Sequence, residues 1–458
     1  MKKVLIYNNL VINLNSKRYK PFLLNLVSGR RHFLNDSEVE IIREIACKSE
    51  YDEKAEELIN RLIQEKQFIT DETLKEVERS MEESGYWAKE TDIAEDYRFS
   101  IELTRNCNMK CSFCYAKERS YATPMTKEKI DAIYAFYEKY ADDKQKTADV
   151  PYIRITGGEP LVNEESASMI RYIANKWKKA KIVLFTNGIN LIRYYSYLPI
   201  DRLEEVAISL DGIAEVHLKH RYSEEVPKLG LFDDIIRGIK QLLNDNVKVR
   251  ITTILDKSNY KYYGELRKYL IDQNILNNPN CSHIVNTELN FRDEPDMNSI
   301  REVEEINSEL SEYGIELMAN QSMMKLRNIA LRGYNKPYLP RCKRCRRERL
   351  ANYFFACDGK VYHCDCLEDN MGAVGVFFPA PELFEDVVKQ ISETTILKQD
   401  KCRKCPYKYV CLGGCALVAR AKGKFMDCGI FAHGDILDNL EFDYRKIAHT
   451  GEDNNAAY

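Results

Sequence analysis

The apolar positions of the chain change period along its length, and the changes mark out units. From Met1 to about Ser84 the patterns are short and mixed. Val11-Ile12-Asn13-Leu14 and Pro21-Phe22-Leu23-Leu24 read as short strands, and Leu24 to Leu34 reads as a hairpin around Ser28-Gly29. Asn35 is placed to cap the helix that follows, with Glu38 three residues on in capping-box position. That helix carries Val39, Ile42, Ile45 and Ala46 on one face. Two further amphipathic segments hold Ala55, Leu58, Ile59 and Leu62, then Leu74, Val77 and Met81. The polar stretch from Glu83 to Asp96 reads as a linker.

From about Arg98 strands and helices alternate. Phe99 to Thr104 is the first strand, and Thr126 can cap a helix with Ile130, Ile133 and Tyr137 along one face. Tyr152 to Thr156, Ile182 to Thr186, Val206 to Leu210, Val247 to Thr252 and His283 to Val285 follow as strands, with helical segments between them. Repeated strand–helix units predict a parallel sheet with helices outside. In such barrels the reactive groups lie on the loops after the strand C-termini.

Composition narrows the class. Hydrophobic residues make up 44% and charged residues 30% of the 458, the profile of a soluble globular protein of two or three domains. A net charge of −3 gives no global field favouring nucleic acid. No apolar run approaches the length of a membrane span, and Met1 to Asn9 shows no export signal, so a cytoplasmic protein is expected. Fifteen cysteines are many for such a chain, and their clustering points to metal or redox chemistry. Cys47 and Cys281 stand alone as small apolar residues.

The clusters follow strands. Cys107, Cys111 and Cys114 lie after the first one, with Phe113 before the last cysteine. Three thiolates can hold three irons of a cubane cluster and leave one iron open, since full ligation takes four. A structural zinc knuckle is the alternative, but no further His or Cys lies close in sequence to complete it. After the second strand comes Thr156-Gly157-Gly158-Glu159-Pro160, where two glycines let the backbone approach a ligand and Glu159 offers a carboxylate to an ammonium group. Asn187-Gly188 closes the third strand, where a plain capped turn is the competing explanation. Ser209-Leu210-Asp211-Gly212 closes the fourth. Arg221 offers a guanidinium for a carboxylate. His217 and His220 read as structural. The C-terminal region holds Cys342-x2-Cys345, Cys357, Cys364 and Cys366, then Cys402-x2-Cys405-x5-Cys411-x3-Cys415 and Cys428. Zinc ribbons are the alternative for this field. Arg341, Lys343, Arg344, Arg346, Arg347 and Arg349 form a basic run around Cys342 and Cys345, read as a solvated face, a cluster-tuning charge or an attractor of acidic peptide rather than a nucleic-acid site.

These motifs together resemble radical S-adenosylmethionine (SAM) enzymes with a SPASM extension, among them peptide-modifying maturases and anaerobic sulfatase maturases. The resemblance runs from about Arg98 to Asp427. It implies an α/β fold: an incomplete (β/α)6 TIM-like barrel over residues 98–320, a SPASM iron–sulfur domain over 335–440 and a tail over 441–458. Residues 1–90 resemble a winged-helix-like peptide recognition element. The family pattern implies a SAM-binding 4Fe–4S cluster on Cys107, Cys111 and Cys114, with Phe113, Gly158, Glu159, Asn187, Ser209 and Arg221 around SAM. Leu218 stands where the family often has Asp. Two auxiliary 4Fe–4S clusters are implied. One falls on Cys402, Cys405, Cys411 and Cys428. The other falls on Cys345, Cys364 and Cys415, with Cys342 chosen over Cys357 and Cys366 as its fourth ligand. The function implied is radical modification of a ribosomally made precursor peptide, as a thioether or carbon–carbon crosslink, with an electron donor such as flavodoxin or ferredoxin. Formylglycine formation and a non-catalytic iron–sulfur or zinc scaffold are the alternatives. Glu288, Asp293 and Asp358 are unranked candidates for a catalytic base.

Overall fold

The computed structural model describes residues 10–13, 21–25, 31–47, 52–65, 79, 98–114, 116, 121–140, 152–221, 230–287, 306, 309–310, 313, 352–364, 372–393 and 400–403. The amphipathic segment of Leu74, Val77 and Met81, the basic run from Arg341 to Arg349, Glu288 and Asp293 lie outside them. So do Cys342, Cys345, Cys366, Cys405, Cys411, Cys415 and Cys428.

At the N-terminus β1 (Leu10–Asn13), β2 (Phe22–Asn25) and β3 (Arg31–Phe33) form an antiparallel sheet in that order. Phe22 pairs with Phe33 and Leu24 with Arg31, which makes β2 and β3 antiparallel neighbours; Ser28 and Gly29 lie outside the described residues. Helices α1 (Asp36–Cys47) and α2 (Glu53–Gln64) follow. The capping box forms at α1: the Glu38 amide donates to Asn35 Oδ1 at 2.9 Å, and the Asn35 amide donates to Glu38 Oε2 at 2.9 Å. Each bond satisfies an amide that a helix start leaves orphaned. Leu23, Leu34, Val39, Ile42, Ala55, Leu58, Ile59 and Leu62 make a core of their own.

The main sheet has ten strands among the described residues. Its centre is β4 (Arg98–Glu102), β5 (Tyr152–Thr156), β6 (Lys181–Thr186), β7 (Leu203–Ser209), β8 (Val249–Leu255) and β9 (Cys281–Thr287), all parallel and adjacent in chain order. Helices α3 (Lys127–Tyr140), α4 (Glu164–Lys176), α5 (Ala214–His220), α6 (Leu231–Asn244) and α7 (Tyr263–Asp272) come between or after these strands. Strand residues Ile101, Ile153, Ile155, Ile182, Leu184, Val206, Ile208, Val249 and Ile251 share one core with Ile130, Ile133, Phe136, Ile170, Ile173, Ile235 and Ile239 of the helices. The alternate strand positions are only half-buried: β5 and β8 switch between buried and half-buried at every residue. A parallel sheet covered on both faces reads as continuous apolar strands. The alternation in β5 and β8 means that one face there is packed into the core and the other is only half covered.

Four more strands extend the sheet at the β4 edge: β10 (Asn352–Phe355), β11 (Lys360–Tyr362), β12 (Ala373–Val376) and β13 (Glu382–Leu383). Strand β10 lies parallel to β4, pairing Phe355 with Ile101, and the rest are antiparallel. The start of the C-terminal cysteine region is thus built into the main sheet, with Phe355, Val361, Val374 and Phe377 in the shared core. Among the described residues no helix is long and apolar enough to cross a membrane.

Candidate functional site

The loop after β4 carries Cys107, Cys111 and Cys114, none of them in a disulfide. It is short and tied to itself: the Asn106 amide donates to Thr104 Oγ1 at 3.1 Å, the Met109 amide to Cys107 Sγ at 3.4 Å, and the Cys114 amide to the Cys111 carbonyl at 3.2 Å. Cys107 is exposed as a residue, while Cys111 and Cys114 are half-buried. Burial around the sulfur, then the Glu159 carboxylate, pushes the Cys107 thiol up to about 12. Burial also raises Cys111, against the pull of Arg221. Metal ligation deprotonates such thiols. Among the described residues no three His, Cys, Asp or Glu side chains close on a single-ion position. Cysteines that each take a different iron of a cubane need not converge on one point.

The glycine loop after β5 packs directly on this loop. The Gly158 amide donates to the Thr104 carbonyl at 2.6 Å and the Glu159 amide to the Asn106 carbonyl at 2.9 Å. A Cβ on Gly157 would stand 2.4 Å from the Thr104 oxygen, and one on Gly158 2.4 Å from the Asn106 oxygen. Both glycines are therefore explained by the closeness of two protein loops.

Glu159 is 1% exposed, and its carboxylate is fully engaged. It accepts from the Leu161 amide at 2.8 Å, Thr186 Oγ1 at 2.6 Å and the Asn187 amide at 2.7 Å. Burial raises its pKa, and these three bonds act against that rise. The sequence reading gives this carboxylate to a ligand ammonium. In the structure it ties the loop after β5 to the loop after β6. A carboxylate shut away from water takes the donors nearest to it. Asn187 is buried beside it; its Nδ2 donates to Asn108 Oδ1 at 2.7 Å and lies 4.0 Å from Cys107 Sγ. The three loops are thus one hydrogen-bonded unit around the first cysteine.

A second network lies after β7. Ser209, half-buried, ends that strand opposite Thr252. Asp211, 1% exposed, receives both the Nε and an Nη of Arg221, the amide of Ile254 at 2.8 Å and His220 Nδ1 at 2.8 Å. His220 Nε2 meets Asp256 at 3.1 Å. Burial opposes charge on Asp211, but Arg221 and His220 outweigh it and hold the carboxyl at about 2. Burial likewise opposes charge on His220, and its two aspartates overcome this and raise it to about 9. His217 accepts the Asp211 amide on Nδ1 at 3.1 Å, and burial keeps it neutral with a pKa of about 4. Phe113 stacks on His220 with ring centroids 4.6 Å apart, and the Arg221 guanidinium carbon lies 5.2 Å from the Phe113 ring centre. Arg221, assigned by residue type to a ligand carboxylate, is thus already forked onto Asp211 beside the cysteine loop. Leu218 packs on the core. The roles of Asp211, His220 and Asp256 had no local sequence signal beyond the Ser209–Gly212 motif, because their partners come from different loops.

The remaining cysteines separate. Cys364 and Cys402 are half-buried. Cys357 is fully buried; its thiol lies 3.3 Å from Glu102 Oε2, and that carboxylate raises its pKa further above what burial alone does. Lys129 Nζ donates to the Cys357 carbonyl at 2.6 Å. Asp358 bonds Tyr362 Oη at 2.9 Å and pairs with Arg105 at 3.3 Å. Asp358 is a structural anion at the β10 junction, and Cys357 is a core thiol.

Residues 101–270 match the family described as the Radical SAM superfamily. The chain carries a radical SAM domain. That superfamily is an enzyme class, and a radical SAM domain implies a 4Fe–4S cluster and SAM. A GTP 3′,8-cyclase of Clostridium perfringens (strain SM101 / Type A) is 32% identical over 156 residues, 34% of this chain and 45% of the relative. The chain thus spans less than half the length of that curated relative. Two solved structures share the fold. Native anSMEcpe with bound AdoMet and Cp18Cys peptide has a TM-score of 0.50 at 16% identity, covering 77% of this chain and 98% of that one. Streptococcus suis SuiB bound to S-adenosylmethionine has a TM-score of 0.50 at 15% identity, covering 91% and 96%.

Proposed function

We propose that this chain is a radical SAM peptide maturase that oxidatively modifies a ribosomally made precursor, forming a thioether or carbon–carbon crosslink. The observation that carries the reading is the three-thiol loop at the C-terminal end of β4, bound through backbone hydrogen bonds to the Gly157–Gly158 loop. The donor set fits an iron–sulfur cluster: three thiols of one loop, none in a disulfide, with the Asn187 amide 4.0 Å from Cys107 Sγ. Cys107, Cys111 and Cys114 would hold it. Bound there with SAM, the cluster supplies, on reduction, a 5′-deoxyadenosyl radical able to take a hydrogen atom from carbon.

The protein's own residues set the geometry. Gly158, Asn187 and Ser209 line the strand ends where SAM would lie, and Phe113 walls the cysteine loop. Glu159 and Arg221 would stand beside SAM, and their hydrogen bonds hold the loops after β5, β6 and β7 in register. Cys402, Cys405, Cys411 and Cys428 would hold one auxiliary cluster. Cys345, Cys364 and Cys415 would hold the other, with Cys342, rather than Cys357 or Cys366, as its fourth ligand. Flavodoxin or ferredoxin would donate the electron in the cytoplasm.

The peptide reading rests on the N-terminal unit. Among the described residues the sheet β1–β3 ends in two open edges, to which an extended leader can add as a strand. Native anSMEcpe, which shares the fold, is itself seen with a peptide. The test is anaerobic reconstitution of the full chain. Roughly twelve irons per chain fit three cubane clusters. Dithionite and SAM then yield 5′-deoxyadenosine, and the precursor encoded beside this gene loses a pair of hydrogens. Zinc without iron ends the enzyme reading, and 5′-deoxyadenosine with no binding of any neighbouring precursor ends the peptide reading alone.

A further inference from the structure

Asn187 follows β6 with both ends of its side-chain amide engaged, and it is 7% exposed. Its Oδ1 accepts the Ile189 amide at 3.1 Å, which closes a tight turn. That bond also fixes which end of the side-chain amide is which, since a backbone N–H needs the oxygen as its acceptor. The nitrogen end therefore faces the cysteine loop. Nδ2 donates to Asn108 Oδ1 at 2.7 Å and lies 4.0 Å from Cys107 Sγ, within reach of a longer bond from its second hydrogen to sulfur. The backbone amide of Asn187 holds Glu159 Oε2 at 2.7 Å. The residue is thus pinned through its main chain and its side chain together.

A second N–H reaches the same sulfur: the Met109 amide donates to Cys107 Sγ at 3.4 Å. Against these two donors stands a buried anion, the Glu159 carboxylate, whose charge acts on Cys107. A thiolate that ligates a cluster carries negative charge, and that charge grows when an electron enters. Donors aimed at the sulfur therefore favour the reduced state, and a buried carboxylate nearby favours the oxidised one. Hydrogen bonds to the sulfurs and net charge are both known levers on the potential of such clusters. Burial strengthens each of them relative to water. Asn187 touches both sides of this balance, with its main chain on Glu159 and its side chain on Cys107.

We propose that Asn187 sets the reduction potential of the cluster held by Cys107, Cys111 and Cys114, by donating an N–H···S hydrogen bond from Nδ2 to Cys107 Sγ. The proposal rests on the radical SAM reading of this site and adds a role toward the cluster, distinct from lining the SAM position. The couple concerned is the one-electron reduction of the cluster, with dithionite as the donor in vitro, and no bond to the protein forms or breaks. Asn187 favours the reduced form by offsetting part of the Glu159 charge at the sulfur. Asn108 anchors the amide plane toward the cysteine loop and does not itself set the potential.

The test uses the full chain, reconstituted anaerobically with iron and sulfide and titrated with dithionite in the absence of SAM, with the reduced cluster read by EPR. The signal of the site cluster is the one missing from Cys111→Ala protein. Asn187→Ser keeps a hydroxyl for the Ile189 amide but is too short to reach the sulfur. At the wild-type midpoint potential, its ratio of reduced to oxidised cluster is expected to fall about threefold or more. Asn108→Ala removes the other partner of Nδ2, leaves the donor on sulfur and is expected to show no such fall. A wild-type midpoint in Asn187→Ser overturns the proposal. So does an equal fall in Asn108→Ala, since loop packing alone would then account for the potential. A second readout needs no Asn187 variant. Asn108→Ala protein labelled with heavy nitrogen at its asparagine side-chain amides is expected to show a nitrogen coupling to the reduced cluster by pulsed EPR; no coupling overturns the proposal. Failure of the underlying reading is seen separately, as wild-type protein that takes up no iron, or that yields no 5′-deoxyadenosine when given SAM and dithionite.

Discussion

At the scale of single residues, Gly157 and Gly158 show a close approach within the chain that the sequence does not name. The pair is legible in the sequence as a place where backbone must come close to something. Sequence reasoning points to a ligand there, and the structure adds the backbone of Thr104 and Asn106 as close neighbours of the pair. Gly158→Ala forces a Cβ against two carbonyl oxygens, at 2.4 Å from Asn106 and 2.7 Å from Arg105, with no flexible side chain to yield. The variant is expected to lose about 1–3 kcal/mol or more of stability, and to displace the Cys107 loop. Thermal unfolding and the iron content after anaerobic reconstitution check it; unchanged values for both would show that the loops do not depend on this approach. Glu159 and Arg221 follow the same pattern. Their residue types mark charge recognition, and their partners turn out to be other parts of the chain: Leu161, Thr186 and Asn187 for one, Asp211 for the other.

At the scale of elements, local pattern locates nearly every strand of the parallel sheet to within a few residues, since β4 to β9 differ from the segments expected mainly at their ends. The capping box at Asn35 and Glu38 forms as its spacing predicts, because both groups lie within one turn. The pairing of β10 with β4 is different. Nothing in Asn352–Phe355 says which strand it joins, and the choice comes from side chains far away in sequence. Phe355 packs against Phe99 at 4.9 Å, Phe377 at 5.5 Å and Phe136 at 5.6 Å between ring centres. Beside it, the carboxylate of Glu102 receives the Cys357 amide at 3.1 Å. Phe355→Ala leaves a cavity in this aromatic cluster and is expected to cost about 3–5 kcal/mol. Urea unfolding of the full chain measures it, and a loss below about 1 kcal/mol would mean that β10 is not seated in the main core.

At the scale of the whole molecule, the buried charge network under Phe113 makes stability depend on pH. His220 has its pKa raised from 6.5 to about 9, so its contribution is complete below pH 6.5 and is lost as pH rises toward 9. His217 has its pKa lowered to about 4, so its contribution is complete above pH 6.5 and is lost as pH falls toward 4. Asp211, lowered from 3.8 to about 2, adds a loss confined to still lower pH. The network therefore favours the folded state most near pH 6.5. His220→Gln is expected to lower the melting temperature at pH 6.5 and to flatten its decline toward pH 9, measured on the full chain. A decline as steep as that of the wild type would remove His220 as its source.

The sequence alone determined the alternation of strands and helices, the three cysteines after the first parallel strand and the glycine pair after the second. Each of these is local, written in spacing that a few consecutive residues can carry. The tertiary structure decided what meets what. It bound Glu159 to two neighbouring loops, forked Arg221 onto Asp211, sent the Cys357 thiol into the core against Glu102, and aimed the Asn187 side-chain amide at Asn108 and Cys107. Those outcomes depend on strand order and register, which bring together residues that no local pattern connects. Once burial removes water, each charged group must find its partner within reach.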